Sequence, residues 1–159
     1  MRTGFLFAIL IGGFNLVYYL EKLLGGRFLD GPYNRLTAWL SGWLTSIILP
    51  YSIRVVGASI IVDQRTSVLI VSGCNGLEAI FLLLAGMLAY PATWSQRWSS
   101  LLRYLPALFV LNLFRVVLLV FIAHRHPAYM DVFHFQVAQG VLIVFVLFFW
   151  YDHIRRIAA

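Results

Sequence analysis

The sequence contains a single cysteine, and charged residues make up only 11% of its 159 residues. One cysteine cannot form a disulfide within the chain, and it leaves no thiolate set for a structural zinc site. Soluble domains average about 25% charged residues. Because hydrophobic residues reach 62% and the mean hydropathy is +0.87, the sequence predicts an integral membrane protein with one domain over residues 1–159.

Acidic residues are also scarce, with 6 Asp and Glu against 12 Lys and Arg, so the net charge is +6. The basic residues are spread along the chain and form no basic face, which argues against nucleic-acid binding. His124 and His126 have no nearby acidic or cysteine partner, so we predict neither a metal nor a cofactor and leave their role open. No internal repeat supports a transporter.

Long apolar runs are what the sequence does have. A helix needs about 20 such residues to cross the hydrocarbon core. Four runs predict transmembrane helices at about 3–20, 75–90, 105–123 and 134–151. The second is short and stops before Pro91, and Pro106 suits the first turn of the third.

The remaining region, residues 21–72, is not expected to cross the membrane. A helix capped by Asn34 and ended by Pro50 has apolar residues at spacings of three and four, which is typical of an amphipathic helix in the membrane interface. These residues are Leu36, Trp39, Leu40, Trp43, Leu44, Ile47 and Ile48. Residues 55–62 and 67–71 are rich in β-branched side chains and predict a short β-hairpin with a turn at 63–66. The fold class is therefore an all-α membrane protein with one interfacial helix and one hairpin.

The distribution of arginine predicts the orientation. Arg2, Arg97, Arg103, Arg155 and Arg156 flank the spans on one side, and positive flanking residues stay in the cytoplasm. Both termini are therefore expected in the cytoplasm, with region 21–72 outside.

Three residues stand out as candidates for chemistry. Cys74 is placed at the outer start of the second span, in the first helical turn, where the helix dipole favours a thiolate. Arg115 in the third span could stabilise an oxyanion, and His134 at the outer start of the fourth could move a proton. All three reach toward the same outer layer of the membrane.

Each candidate also has a non-catalytic interpretation. Cys74 could be a small buried hydrophobe, and His134 could face lipid headgroups. Arg115 could form a structural ion pair with Glu78 that joins two spans, in a non-enzymatic membrane subunit or a small transporter component.

The segment Ser72-Gly73-Cys74-Asn75-Gly76-Leu77-Glu78-Ala79, the later Asn112-Leu113-Phe114-Arg115-Val116 and His134 resemble the three signatures of the exosortase/archaeosortase family. The short length of the chain and the residues that surround Cys74 are most similar to the small exosortase H branch.

The resemblance implies a membrane-embedded cysteine protease or transpeptidase of the cell inner membrane, with Cys74 as nucleophile, Arg115 as transition-state stabiliser and His134 as acid/base. Glu78, Asn112 and Asn75 would be supporting residues. The implied substrates are exported proteins with a C-terminal tail made of a recognition motif, a transmembrane helix and a basic cluster, cleaved through a thioester. The recognition motif and the acceptor nucleophile stay open.

Overall fold

The computed structural model describes residues 2–158, which form five α-helices and one small antiparallel sheet. In chain order these are α1 (Arg2–Leu23), α2 (Asp30–Ile48), β1 (Ile53–Val56), β2 (Ser59–Val62), β3 (Thr66–Leu69), α3 (Leu77–Ala89), α4 (Trp94–Arg125) and α5 (Gln139–Ala158). A 3-10 turn at Pro127–Tyr129 and a π-helical segment at Val132–Ala138 connect α4 to α5.

Within the described residues, three helices are long and apolar enough to cross a membrane: Thr3–Leu23, Trp94–Arg125 and Val132–Ala158. They contain the first, third and fourth predicted spans. The prediction of four spans is not confirmed, because α3 has only 13 residues and extends about 20 Å, short of the roughly 30 Å hydrocarbon core. The preceding residues form a turn and do not lengthen the helix.

Helix α4 begins earlier than the sequence predicts, so Pro106 lies inside the helix and not in its first turn. The start is fixed by a capping box in which the Thr93 side chain accepts the Gln96 N–H and the Gln96 side chain accepts the Thr93 N–H. This reciprocal bonding satisfies two donors at the helix end. The 32-residue helix therefore has room beyond the membrane core for contacts with the sheet.

The predicted hairpin is a three-stranded sheet in the order β1-β2-β3. The first predicted strand, residues 55–62, turns back on itself at Gly57, whose φ of +63° few other residues adopt readily. The turn predicted at 63–66 joins β2 to β3. Ile60, Val62 and Val68 of the sheet pack against Val116 and Val120 of α4 in one core cluster.

Helix α2 is amphipathic as predicted, but it begins at Asp30 and not after an Asn34 cap. Its polar and small residues are the buried ones: Asp30, Asn34, Thr37, Ala38, Ser41, Gly42 and Thr45. Trp39, Trp43 and Ile47 are exposed on the other face. The polar face packs on α4 and the sheet, which leaves the apolar face to meet lipid.

A second core cluster joins α3, α4 and α5 through Leu83, Met87, Leu108, Leu142 and Val146. Helix α1 packs on α3, where Phe14 stacks on Phe81. Cys74 in the β3–α3 connection belongs to the first cluster and Ala79 of α3 packs against the second, so this connection links the two.

Candidate active site

Cys74 lies in the tight connection between β3 and α3, and its side chain is buried. Its N–H donates to the Val71 carbonyl at 2.9 Å. Gly73 and Gly76 flank it with φ values of +86° and +81°, in the left-handed region that favours glycine. The glycines are needed at these two positions because the chain reverses direction around the thiol.

The prediction that Cys74 occupies the first turn of a helix is wrong. Gly76 precedes the first residue of α3, Leu77, and the Leu77 N–H already donates to the Asn75 side chain at 3.0 Å. The helix dipole therefore acts on Cys74 only from beyond the helix end. Burial raises the pKa of the Cys74 thiol, and the nearby Arg115 guanidinium offsets part of that rise.

The thiol meets an imidazole. Cys74 Sγ lies 2.5 Å from His134 Nε2, although the two residues are 60 positions apart. His134 belongs to the π-helical segment Val132–Ala138 and is partly buried. A thiol in contact with an imidazole can lose its proton to the ring, which is the arrangement that activates cysteine nucleophiles.

Arg115 is buried on α4, and its side chain extends to the turn that carries Cys74. Its guanidinium donates to the Gly73 carbonyl at 3.3 Å, to Gln139 Oε1 at 3.3 Å and to Asn112 Oδ1 at 3.5 Å. Its Nε–H is buried and has no partner among the described residues. The side chain therefore keeps donor capacity free beside Cys74.

The Arg115–Glu78 ion pair of the alternative interpretation is not formed; within residues 2–158 no carboxylate lies within salt-bridge distance of Arg115. Glu78 is in the first turn of α3, exposed on its surface, and both residues line a cavity of about 130 Å³ between α3 and α5. Arg115 instead bonds to neutral oxygens, because the turn brings the Gly73 carbonyl closer than the carboxylate.

Asn112 and Asn75 hold the turn against α4. Asn112 Nδ2 donates to the Asn75 carbonyl at 2.7 Å, and both side chains are buried. A side chain at Gly76 would collide here, since an added Cβ would lie 2.7 Å from Asn112 Cγ. The close approach of the turn to α4 thus depends on that glycine.

The sequence did not point to Asp30 or Asn34 as part of this site, and Ser72 entered only as the first residue of the motif around Cys74. The Asp30 carboxylate accepts from Ser72 Oγ at 2.7 Å and from Asn75 Nδ2 at 2.8 Å, and Asn34 Oδ1 accepts the second Asn75 N–H at 2.8 Å. The signal available was the polar stripe of α2, but a stripe alone does not say what it packs against. Only the fold shows that it faces inward.

The two remaining histidines named from the sequence lie elsewhere. His124 Nδ1 is 3.1 Å from Thr66 Oγ1, its Nε2 is 3.5 Å from Asp63 Oδ2, and the pair joins the end of α4 to the sheet. His126 is exposed in the following connection.

A family model described as transmembrane exosortase (Exosortase_EpsH) matches residues 3–151. The chain belongs to the exosortase family. The match covers every element from α1 into α5, which confirms the family predicted from the three motifs. No curated protein and no solved structure matches the chain. In this exosortase, the three motif residues come from the β3–α3 turn, α4 and the π-helical segment before α5.

Proposed function

We propose that this exosortase is a cysteine protease or transpeptidase that cleaves the C-terminal sorting tail of exported proteins at the outer face of the cytoplasmic membrane. The observation that carries the proposal is the contact between Cys74 Sγ and His134 Nε2, with Arg115 bonded to the carbonyl next to the thiol. A nucleophile, a base and a cation in one buried site are the parts that acyl transfer needs.

The chemistry follows from these positions. His134 takes the thiol proton, and Cys74 Sγ attacks the scissile carbonyl carbon to give a tetrahedral oxyanion. Arg115 stabilises that charge with its free donor, and the buried site strengthens the interaction. The C–N bond then breaks, His134 returns the proton to the departing amine, and a thioester remains on Cys74. An amine or water attacks the thioester and frees the thiol.

The cavities beside Arg115 offer room for the substrate. One, of about 130 Å³, is lined by Gly73, Gly76, Glu78 and Gln139 among others, and lies next to the turn. A second, of about 210 Å³, lies between α4 and α5 and has almost only apolar side chains besides Arg115. We assign the first to the residues around the scissile bond and the second to an apolar part of the tail.

The charge distribution supports the orientation. Ser100 Oγ lies 2.8 Å from His153 Nδ1, so the start of α4 and the end of α5 meet at the end of the bundle that is remote from Cys74. Arg97, Arg103, Arg155 and Arg156 belong to this end. Phe7 near the start of α1 stacks on Trp150 of α5, so α1 also begins at this end. Since positive flanking residues stay in the cytoplasm, we place the thiol outside and both termini inside.

Co-expression with an exported protein that carries a motif, a transmembrane helix and a basic cluster at its C-terminus tests the proposal. Cys74→Ala should abolish cleavage. His134→Ala should lower the cleavage rate by about 10²–10⁴-fold, and Arg115→Ala by about 10²–10³-fold. The matched controls His126→Ala and Arg103→Ala change exposed residues of the same types and should cleave as the parent does.

The alternative of a non-enzymatic subunit makes the opposite prediction. It required a structural Arg115–Glu78 pair, which the geometry does not support. If Cys74→Ala inserts into the membrane and cleavage continues unchanged, the enzyme proposal is wrong.

A further inference from the structure

Asp30 is the first residue of α2, and its carboxylate is buried at the junction of α1, α2 and the β3–α3 turn. It accepts three hydrogen bonds. Tyr18 Oη and Asn75 Nδ2 donate to Oδ1 at 3.0 and 2.8 Å, and Ser72 Oγ donates to Oδ2 at 2.7 Å. Burying a carboxylate costs free energy unless it is hydrogen-bonded, and these three donors offset that cost.

Two of the three donors flank the thiol in sequence. Ser72 lies two residues before Cys74, and Asn75 lies directly after it, so a single carboxylate fixes both sides of the turn. Asn75 links the carboxylate to α3 and α4. Its side-chain oxygen accepts the Leu77 N–H, and its backbone carbonyl accepts a hydrogen bond from Asn112 Nδ2. Between these anchors the Gly73 carbonyl meets Arg115 and Cys74 meets His134.

We infer that Asp30 is a positioning residue, which holds the Cys74 turn so that the thiol stays in contact with His134. Its catalytic consequence rests on the proposed function, but its effect on the thiol does not. The two flanking glycines restrict the backbone less than other residues would, and among the described residues Asp30 is the carboxylate that hydrogen-bonds the turn. It acts together with the bonds from Asn112 and Arg115, and within residues 2–158 it alone bonds the side chains on both sides of Cys74.

The test compares Asp30→Ala and Asp30→Asn with Glu21→Ala. Glu21 is a matched control because it is also a buried acid at the α1–α2 connection, where it accepts the Phe28 and Leu29 N–H groups at 2.9 and 3.0 Å and does not contact the turn. An asparagine can keep the geometry: its amide oxygen accepts from Tyr18 and Asn75, and its N–H₂ can donate to a reversed Ser72 hydroxyl.

The first readout is the rate at which Cys74 is alkylated, measured against pH with and without His134→Ala. In the parent, His134→Ala should change the profile because the imidazole contacts the thiol. In Asp30→Ala, His134→Ala should make little further difference, because the turn has moved. We call this effect of His134→Ala on the alkylation profile the coupling between Cys74 and His134. Asp30→Asn and Glu21→Ala should keep the coupling. A general loss of stability would not remove this coupling selectively.

The second readout is cleavage of the tailed substrate. A displacement of about 1 Å costs about 10²-fold in rate, so Asp30→Ala should lower kcat about 100-fold, and Asp30→Asn should stay within about 10-fold of the parent. If Asp30→Ala does not accumulate, Ser72→Ala removes one flanking bond without altering α2 and should weaken the coupling in part. If the parent cleaves nothing, the proposed function fails, while the alkylation cycle still decides the role of Asp30.

Three results would overturn the inference. One is coupling between Cys74 and His134 in Asp30→Ala equal to that of the parent. Another is an equal loss in Glu21→Ala, which would show a general packing effect. The third, if Asp30→Ala does not accumulate, is full coupling in Ser72→Ala.

Discussion

At the residue scale, the thiol and the imidazole are brought together by elements that begin and end at the same level of the bundle. Cys74 precedes α3 and His134 precedes α5, so both lie where a helix enters the protein from the same side. Arg115 reaches them from within α4, and Gln139 holds its guanidinium from α5. The contact is therefore a product of topology, since no local motif contains both residues.

Replacing Arg115 should move the titration of the thiol. Burial raises the pKa of Cys74, and the guanidinium favours the thiolate and opposes that rise. In Arg115→Gln the opposing charge is gone, so the pKa should rise further and the alkylation midpoint should shift to higher pH. Iodoacetamide labelling across a pH series in detergent measures this shift. An unchanged or lower midpoint would show that Arg115 does not act on the thiol.

Gly76→Ala should disrupt the site without a change of charge. Alanine is strained at φ +81°, and its Cβ would lie 2.7 Å from Asn112 Cγ. We expect loss of substrate cleavage and faster alkylation of the displaced thiol. The control Gly12→Ala places a methyl group in open space within α1 and should behave as the parent does. Normal cleavage by Gly76→Ala would mean that the turn does not need this close approach.

The sequence predicted the residues with strong chemical identity better than the residues that hold them. A lone thiol, a guanidinium in an apolar run and a histidine at a span boundary each carry a solvation cost or a reactivity that is visible without a structure. Burying Asp30 has a similar solvation cost, but the residue lies outside the predicted spans, where an acidic side chain is expected to be solvated and draws no attention. Sequence spacing suggested Glu78 as one possible partner of Arg115, but pairing depends on how the turn is folded, which spacing does not give.

At the element scale, α2 shows that an amphipathic pattern can be recognised from sequence while the contacts of its polar face cannot. The spacing of Trp39, Trp43 and Ile47 shows one apolar face, and these side chains are exposed. In a membrane the apolar face can meet lipid while the polar face packs inside the protein. The inward face brings Asp30 and Asn34 to the Cys74 turn.

Packing of α2 on the sheet should depend on Gly42. An added Cβ would lie 2.3 Å from Val55 Cγ2, so Gly42→Ala must displace β1 or the helix. Overpacking typically costs about 1–3 kcal/mol of unfolding free energy, and the melting temperature in detergent should fall. Adding Val55→Ala should recover part of the loss. If Gly42→Ala melts like the parent, or the second change lowers the temperature further, this contact is not tight.

Helix boundaries were predicted less well than helices. Pro106 suggested a start, yet Thr93 and Gln96 begin α4 earlier and the helix continues through the proline. Proline removes the N–H that would bond four residues back and its ring crowds the carbonyl there, and this long helix packed on its neighbours tolerates both effects. The short α3 shows the opposite error, since an apolar composition extended the predicted span into a turn.

At the scale of the whole molecule, the protein has two chemically different ends. The end with Cys74 also holds the sheet, and the other end holds the Tyr104 hydroxyl bonded to Asp152, which also pairs with Arg156. The orientation of the protein in the membrane decides which of these two ends faces the cytoplasm.

Single-cysteine labelling should report the orientation. In a Cys74→Ala background, Arg65→Cys in the β2–β3 turn should react with a membrane-impermeant maleimide in intact cells. Ser95→Cys at the start of α4 should react only after permeabilisation. Both positions are exposed, so access to the reagent is limited by the membrane and not by packing. The reverse pattern would place Cys74 on the cytoplasmic side.

The most direct measurement is mass spectrometry of the Cys74 peptide from exosortase that has been incubated with a tailed substrate in the absence of an acceptor amine. Because the chain has one cysteine, a thioester has one possible site. We predict an adduct between Cys74 and the N-terminal part of the substrate, released by hydroxylamine and absent in Cys74→Ala. Cleavage that proceeds in Cys74→Ala, or an acyl group found on another residue, would contradict the proposed chemistry.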